Sequence, residues 1–131
     1  MLDVRGCELV CLAGYMRLLS PWFVGHYPNR ILNVHPALLP AFPGLEAQRQ
    51  AIDHGVKVSG VTVHFVDESL DHGPIVVQSA VEIHEEDTPE TLAGRILVEE
   101  HLMYPKAVRL FFEGRLRVDG RCVRIAGTRT K

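Results

Sequence analysis

The chain has 131 residues, of which 47% are apolar and 23% charged, and its net charge is −2. This length and composition suit one soluble globular domain with a hydrophobic core, so we expect residues 1–131 to form a single domain. The balanced charge disfavours nucleic acid as a partner. The apolar runs fall far short of the ~20 residues that a membrane span needs, which disfavours a membrane partner.

Cysteine usage and the N-terminus bear on the cellular compartment. Cys7, Cys11 and Cys122 make an odd count, which argues against a disulfide framework. The opening stretch MLDVRGCELV lacks the basic-then-apolar organisation of a secretory signal. We therefore expect reduced thiols and a cytoplasmic location.

The first third of the chain alternates between predicted strands and a predicted helix. The apolar run CELVCLAG predicts a buried strand, and LLSPWFVGHY predicts a helix that begins at Ser20 with Pro21 in its first turn. RILNVH predicts a second strand. The prolines of PALLPAFPG then predict a loop.

A short helix is predicted next, over LEAQRQAIDHG. Leu45 and Ile52, seven residues apart, are expected to share its apolar face, with Ala47 and Ala51 beside them. Gly55 is the predicted stop.

The second half adds two strands, a long helix and a hairpin. VSGVTVHFV and PIVVQSAVEI predict strands that pair across the turn DESLDHG. Asp87 or Thr88 is expected to cap a helix that follows, whose apolar face includes Leu92, Ile96 and Met103. A kink is expected at Pro105. LRVDGRCVRI predicts a closing hairpin with Asp119-Gly120 at its turn, and the last residues, AGTRTK, are expected to fray.

Strands alternating with helices predict an α/β fold with a sheet that is parallel in part. In such sheets, ligands bind beyond the carboxyl ends of the strands. Asn33 and His35 close the second predicted strand, Asp71 lies in the turn DESLDHG, and His64 lies inside a strand. Taken alone, Asn33 and Asp71 fit turn residues, His64 fits a surface or packing residue, and His35 fits either a half-buried or a functional histidine.

Together these side chains fit acyl transfer. A carboxamide N–H stabilises an oxygen that gains negative charge, and a histidine can give that oxygen a proton. A nearby carboxylate favours the charged imidazole. The sequence has no G-x-S-x-G nucleophile motif, so a substrate amine would have to attack directly. The other histidines show no metal-like pairing with carboxylates, and no metal is expected.

Three segments in order, LNVHPALLPAFPG, GVTVHFV and LDHGPIVVQ, resemble the phosphoribosylglycinamide formyltransferase family. The similarity runs almost from end to end, from LAGYMRLLS to EEHLMYP. It implies a Rossmann-like formyltransferase fold with parallel and antiparallel strands and helices on both faces. It also implies transfer of a formyl group from 10-formyltetrahydrofolate, the co-substrate, to the amine of glycinamide ribonucleotide in purine biosynthesis.

The resemblance also implies roles for individual residues. Asn33 and His35 would hold the formyl oxygen, with His35 as the proton donor, and Asp71 would keep His35 charged and help to move protons. Thr62 and His64 would support the site, and PALLPAFPGLEAQRQ matches a segment that the family allows to move. The folate would contact Met16, Arg17, Leu18, Leu19, Asn33, Asp67, Glu68, Ser69, Leu70 and Asp71, and the ribonucleotide would contact Leu97, Val98, Glu99 and Glu100.

Two relatives offer alternatives. Formyltetrahydrofolate deformylase hydrolyses the donor, but it usually carries a second histidine where Pro36 stands here. Methionyl-tRNA formyltransferase shares the Asn-x-His-Pro core and needs a further RNA-binding domain, for which these 131 residues show no candidate.

The family is longer at its N-terminus, where a glycine-containing turn binds the substrate phosphate. No such turn is visible here, so the chain is expected to be the C-terminal catalytic and folate-binding portion of the fold. It would then be either a weakly active enzyme or an inactive fragment that binds folate. The oligomeric state is left open.

Overall fold

The computed structural model describes residues 10–13, 31–67 and 72–127. Six strands and two helices lie in these ranges. In chain order they are β1 (Val10–Ala13), β2 (Ile31–His35), α1 (Ala47–His54), β3 (Val58–Phe65), β4 (Ile75–Glu82), α2 (Pro89–Phe112), β5 (Leu116–Asp119) and β6 (Cys122–Ile125). Within the described ranges, neither helix combines the length and apolar character needed to cross a bilayer.

All six described strands join one sheet in the order β1-β2-β3-β4-β6-β5. The β1/β2 and β4/β6 pairs are parallel, and the β2/β3, β3/β4 and β5/β6 pairs are antiparallel. The predicted α/β fold with a partly parallel sheet is therefore confirmed. The β3–β4 pairing and the closing hairpin were both predicted. The turn of the hairpin is Gly120-Arg121 and not the predicted Asp119-Gly120, because Asp119 ends β5 and pairs with Cys122. Gly120 has a φ of 64°.

The core lies on one face of the sheet. Leu32 and Val34 of β2 and Val61, Val63 and Phe65 of β3 form a buried cluster with residues of both described helices. Because side chains alternate along a strand, the residues between them point to the opposite face. The helix predicted in LLSPWFVGHY lies outside the described residues.

Helix α1 is held by small residues. Ala47 and Ala51 are buried and Ala51 joins the core cluster, whereas Leu45 is 66% exposed and precedes the helix. The predicted Leu45–Ile52 face was wrong: the alanines allow the helix backbone to approach the core closely, and Ile52 packs only at its margin. Gly55 ends the helix as predicted, in the left-handed conformation with a φ of 72°.

Helix α2 is fixed at its first turn. Thr88 is the N-cap: its hydroxyl accepts a hydrogen bond from the Thr91 N–H at 3.2 Å, and the Thr91 hydroxyl accepts one from the Thr88 N–H at 2.9 Å. Leu92 and Ile96 are fully buried, as predicted. The helix continues through Pro105 to Phe112.

Candidate active site

Four polar side chains form two cross-strand pairs on the sheet face opposite α2. In the antiparallel register of β2 and β3, Asn33 lies opposite His64 and His35 lies opposite Thr62. All four are buried, with at most 3% of their surface exposed. Buried polar groups cost free energy unless they are hydrogen-bonded, so each of these side chains needs a partner or a ligand.

The His64 ring orients the Asn33 carboxamide. His64 Nδ1 lies 2.9 Å from the Phe65 carbonyl oxygen, which can only accept, so Nδ1 carries the hydrogen. Nε2 is then the accepting nitrogen, and the Asn33 Nδ2 lies 3.4 Å from it. Asn33 Oδ1 is buried and has no hydrogen-bond partner among the described residues.

The His35 ring is fixed by the loop that follows it. His35 Nε2 lies 2.8 Å from the Phe42 carbonyl oxygen, so Nε2 carries the hydrogen and donates it. The ring is fully buried. Its Nε2 proton is therefore engaged by the protein's own backbone, and the loop from Pro36 to Phe42 determines where that acceptor lies.

The two predicted supporting residues lie in the described part of the chain. Thr62 and His64 lie beside His35 and Asn33 on β3, but what they do in a reaction stays a prediction. Asp67 is described just after β3, where its carboxylate lies 3.1 Å from Nδ1 of His72.

Several predicted site residues fall outside the described part of the chain. Among these is Asp71, the proposed third catalytic residue. The others belong to the proposed folate pocket: Met16, Arg17, Leu18, Leu19, Glu68, Ser69 and Leu70. Their roles stay predictions.

The predicted ribonucleotide segment lies on α2. Leu97 and Val98 are 47% and 59% exposed, and Glu99 Oε1 accepts a hydrogen bond from the Ser79 hydroxyl at 2.8 Å. Burial raises the pKa of the Glu100 carboxyl, an effect that His101 partly opposes. Helix α2 packs on the face of the sheet opposite Asn33 and His35, so these four residues and that pair lie on opposite sides of the sheet.

Sequence reasoning missed one polar residue at the site. Gln78 of β4 was treated only as part of a strand, yet it lies opposite Thr62 in the register and its Nε2 lies 3.1 Å from the Thr62 hydroxyl oxygen. The available signal was an amide in a mostly apolar strand, two positions from both Val76 and Ala80. Within the described residues, no group of His, Cys, Asp or Glu is arranged to hold a metal ion.

Comparisons with known proteins agree with the resemblance. A family model described as Formyl transferase matches residues 1–108. The phosphoribosylglycinamide formyltransferase of Escherichia coli (strain K12) is 41% identical over 128 residues, which cover 98% of this chain and 60% of that protein.

Solved structures give the same result. Glycinamide ribonucleotide transformylase 1 from Symbiobacterium toebii matches with a TM-score of 0.89 and 64% identity, over 92% of this chain and 57% of that one. A formyltetrahydrofolate deformylase from Pseudomonas syringae pv. tomato matches with a TM-score of 0.85 and 32% identity, over 90% of this chain and 40% of that one. The chain thus spans 60% or less of the length of each of these relatives.

Proposed function

Because this chain belongs to the formyl transferase family, we propose that it carries the catalytic residues of a phosphoribosylglycinamide formyltransferase. It would transfer the formyl group of 10-formyltetrahydrofolate to the amine of glycinamide ribonucleotide. The observation that supports this most is the buried polar pair Asn33–His64 beside the pair His35–Thr62. A carboxamide and an imidazole two residues apart on one strand can face the same carbonyl oxygen.

The proposed reaction needs no covalent enzyme intermediate. The amine lone pair attacks the formyl carbon, and the C=O π electrons move to the oxygen. The oxygen lone pair then re-forms the C=O bond as the bond between the formyl carbon and the folate nitrogen breaks, and the electron pair of that bond goes to the folate nitrogen. The attacking nitrogen loses a proton and the folate nitrogen gains one. The protein's task is to position the reactants, stabilise the oxyanion and carry that proton.

Asn33 is suited to the oxyanion. A carboxamide nitrogen has two N–H groups, and the contact with His64 uses only one of them. The second can donate to the oxygen as it becomes negative. Oδ1, which has no partner within the described residues, can accept a hydrogen bond from the attacking amine.

His35 and Asp71 are proposed to handle protons. Since His35 Nε2–H donates a hydrogen bond to the Phe42 carbonyl oxygen, Nδ1 is the ring nitrogen that would give a proton to the substrate. Asp71 would stabilise the charged ring and relay the proton, directly or through water. Of the proposed folate contacts, Asn33 and Asp67 lie in described segments.

The deformylase reading is the second candidate, since one solved relative carries that name. It would use water in place of the amine at the same site. Pro36, which follows His35, disfavours it because deformylases usually have a second histidine there. The remaining alternative is a fragment that binds folate without turnover.

A product assay separates these three functions. The purified chain would be incubated with 10-formyltetrahydrofolate, with and without glycinamide ribonucleotide, and formylated ribonucleotide and formate would be measured. We expect the formylated ribonucleotide to be the main product, at a rate below that of the longer E. coli relative. His35→Asn should reduce the rate by about 10²–10⁴-fold, the range typical of general acid–base catalysis.

Two results would count against the transferase. Formate as the main product in the presence of the ribonucleotide would favour the deformylase. Folate binding without either product would favour the inactive fragment. Glu86→Gln, an exposed change outside the proposed site, serves as the matched control and should leave the product ratio unchanged.

A further inference from the structure

We infer that Gln78 is a positioning residue for the His35 imidazole, acting through the Thr62 hydroxyl and the backbone of the loop 36–42. The inference rests on the proposed function only for its catalytic meaning. The coupling itself is a property of the fold and can be measured without substrate.

The amide nitrogen of Gln78 donates hydrogen bonds to two acceptors. Nε2 donates to the Leu39 carbonyl oxygen at 3.0 Å and to the Thr62 hydroxyl oxygen at 3.1 Å. A carboxamide nitrogen has two N–H groups, so both are used. Gln78 therefore connects β4 to β3 and to the loop at once.

The Thr62 hydroxyl also uses all of its hydrogen-bonding positions. It donates to the Ala37 carbonyl oxygen at 2.7 Å and accepts from the Leu39 N–H at 3.1 Å and from Gln78. One donor and two acceptor positions are all that a hydroxyl offers. Because both lone pairs accept, its only hydrogen must point to Ala37, and Gln78 helps to fix that direction.

These two side chains hold three backbone groups of one loop: the Ala37 carbonyl, the Leu39 N–H and the Leu39 carbonyl. The loop also packs closely on β3, since a Cβ added at Gly60 would come within 2.7 Å of the Leu38 side chain. Ala37 and Leu39 are buried, and buried backbone polar groups need such partners. Gln78 and Thr62 therefore set the position of the loop relative to the sheet.

The loop in turn fixes the position of the His35 ring. Its far end supplies the Phe42 carbonyl that accepts from His35 Nε2 at 2.8 Å. The link runs by hydrogen bonds from Gln78 and Thr62 to Leu39, along the backbone from Leu39 to Phe42, and by a hydrogen bond from the Phe42 carbonyl to His35. If the loop shifts, the acceptor shifts, and a displacement of about 1 Å at a reacting group can cost about 10²-fold in rate.

The test uses histidine-labelled and uniformly labelled chain in NMR, without substrate. Gln78→Glu keeps the size of the side chain but removes both donors and places a carboxylate oxygen against the Leu39 carbonyl. We expect the Leu39 amide to exchange with solvent about tenfold faster or more, and the ring signals of His35 to shift. Amide protection at Val63, inside the buried part of β3, should be retained and shows that the variant is folded.

Thr62 variants provide a second route to the same result if Gln78→Glu does not fold. Thr62→Val keeps the shape and loses the hydroxyl, so it should reproduce the shift of the His35 signals. Thr62→Ser keeps the hydroxyl, so its His35 signals should match those of the parent chain. Glu82→Gln lies on the same strand and face as Gln78 but its side chain is exposed, so it should change neither readout.

Unchanged His35 signals in a folded Gln78→Glu or Thr62→Val variant would overturn the inference, whether or not Leu39 exchanges faster. In the formyl transfer assay, Gln78→Glu should lower kcat by about 10–10²-fold with little change in KM. Coupling seen by NMR in a chain that transfers no formyl group would mean that the proposed function fails while the positioning role stands.

Discussion

The carboxamide of Asn33, which we propose binds the formyl oxygen, is oriented by its neighbours. Its Nδ2 is directed to Nε2 of His64, which is itself fixed because Nδ1 donates to the Phe65 carbonyl oxygen. This arrangement leaves Oδ1 buried with no partner in the described segments. Such a group costs free energy in the unliganded protein, and a substrate N–H would recover it.

Glu100 gives a prediction at the scale of one residue. Burial raises the pKa of its carboxyl in the folded chain, so folding favours the protonated form. Its charge therefore costs stability as pH rises from its ordinary value of 4.5 through the raised pKa, and the cost persists above it. Glu100→Gln should raise the midpoint of thermal unfolding near neutral pH and, if Glu100 contacts the ribonucleotide, weaken its binding.

The measurement is a thermal melt across pH together with calorimetric titration of glycinamide ribonucleotide. Glu86→Gln, at an exposed position of the preceding loop, should leave both quantities unchanged. A melting midpoint for Glu100→Gln equal to that of the parent chain at neutral pH would contradict the role given to burial.

At the scale of elements, the corner between β4 and α2 is held by a carboxylate. The side chain of Asp87 is 5% exposed and accepts hydrogen bonds from both terminal nitrogens of Arg95 at 2.9 Å. It also accepts from the His84 N–H at 2.7 Å and the Thr91 hydroxyl at 2.8 Å. The Arg95 guanidinium is the main reason that the pKa of Asp87 falls well below its ordinary value.

A pH dependence of stability follows from this lowered pKa. The Asp87 carboxylate stabilises the fold fully above its ordinary pKa of 3.8, and the stabilisation is lost as pH falls below that value. Asp87→Asn should therefore lower the melting midpoint near neutral pH. The difference in melting midpoint between the variant and the parent chain should become smaller in acid. Asp119→Asn breaks an ion pair whose side chains are 61% exposed and should have a much smaller effect. A difference in melting midpoint that stays constant as the pH falls would contradict the stabilising role of the Asp87–Arg95 ion pair.

Elements could be predicted where local signals agree with the fold. Apolar runs predicted β3 and β4, the pair Asp87-Thr88 predicted the start of α2, and Gly55 predicted the end of α1. The prediction that Leu45 and Ile52 share the apolar face of α1 failed because apolar spacing alone does not reveal that the helix packs through small alanines. The Gln78–Thr62 contact was missed because it depends on the strand register and on a loop that returns to the sheet, and neither is local in sequence.

At the scale of the whole molecule, one mixed sheet carries Asn33 and His35 on one face and α2 on the other. The assignment of all 131 residues to one domain stays a prediction, as does the cytoplasmic location. Because the chain spans 60% of the E. coli relative, a slower turnover than that relative is part of the proposal.

The central claim is that Asn33, His35 and Asp71 converge on one carbonyl. The most direct test is a crystal structure of the chain with a stable compound that joins the folate and ribonucleotide portions through a tetrahedral carbon. We predict that Asn33 Nδ2 and a ring nitrogen of His35 lie about 2.7–3.2 Å from the oxygen on that carbon, with the Asp71 carboxylate in contact with the ring directly or through one water. An oxygen that touches neither Asn33 nor His35 would contradict the account.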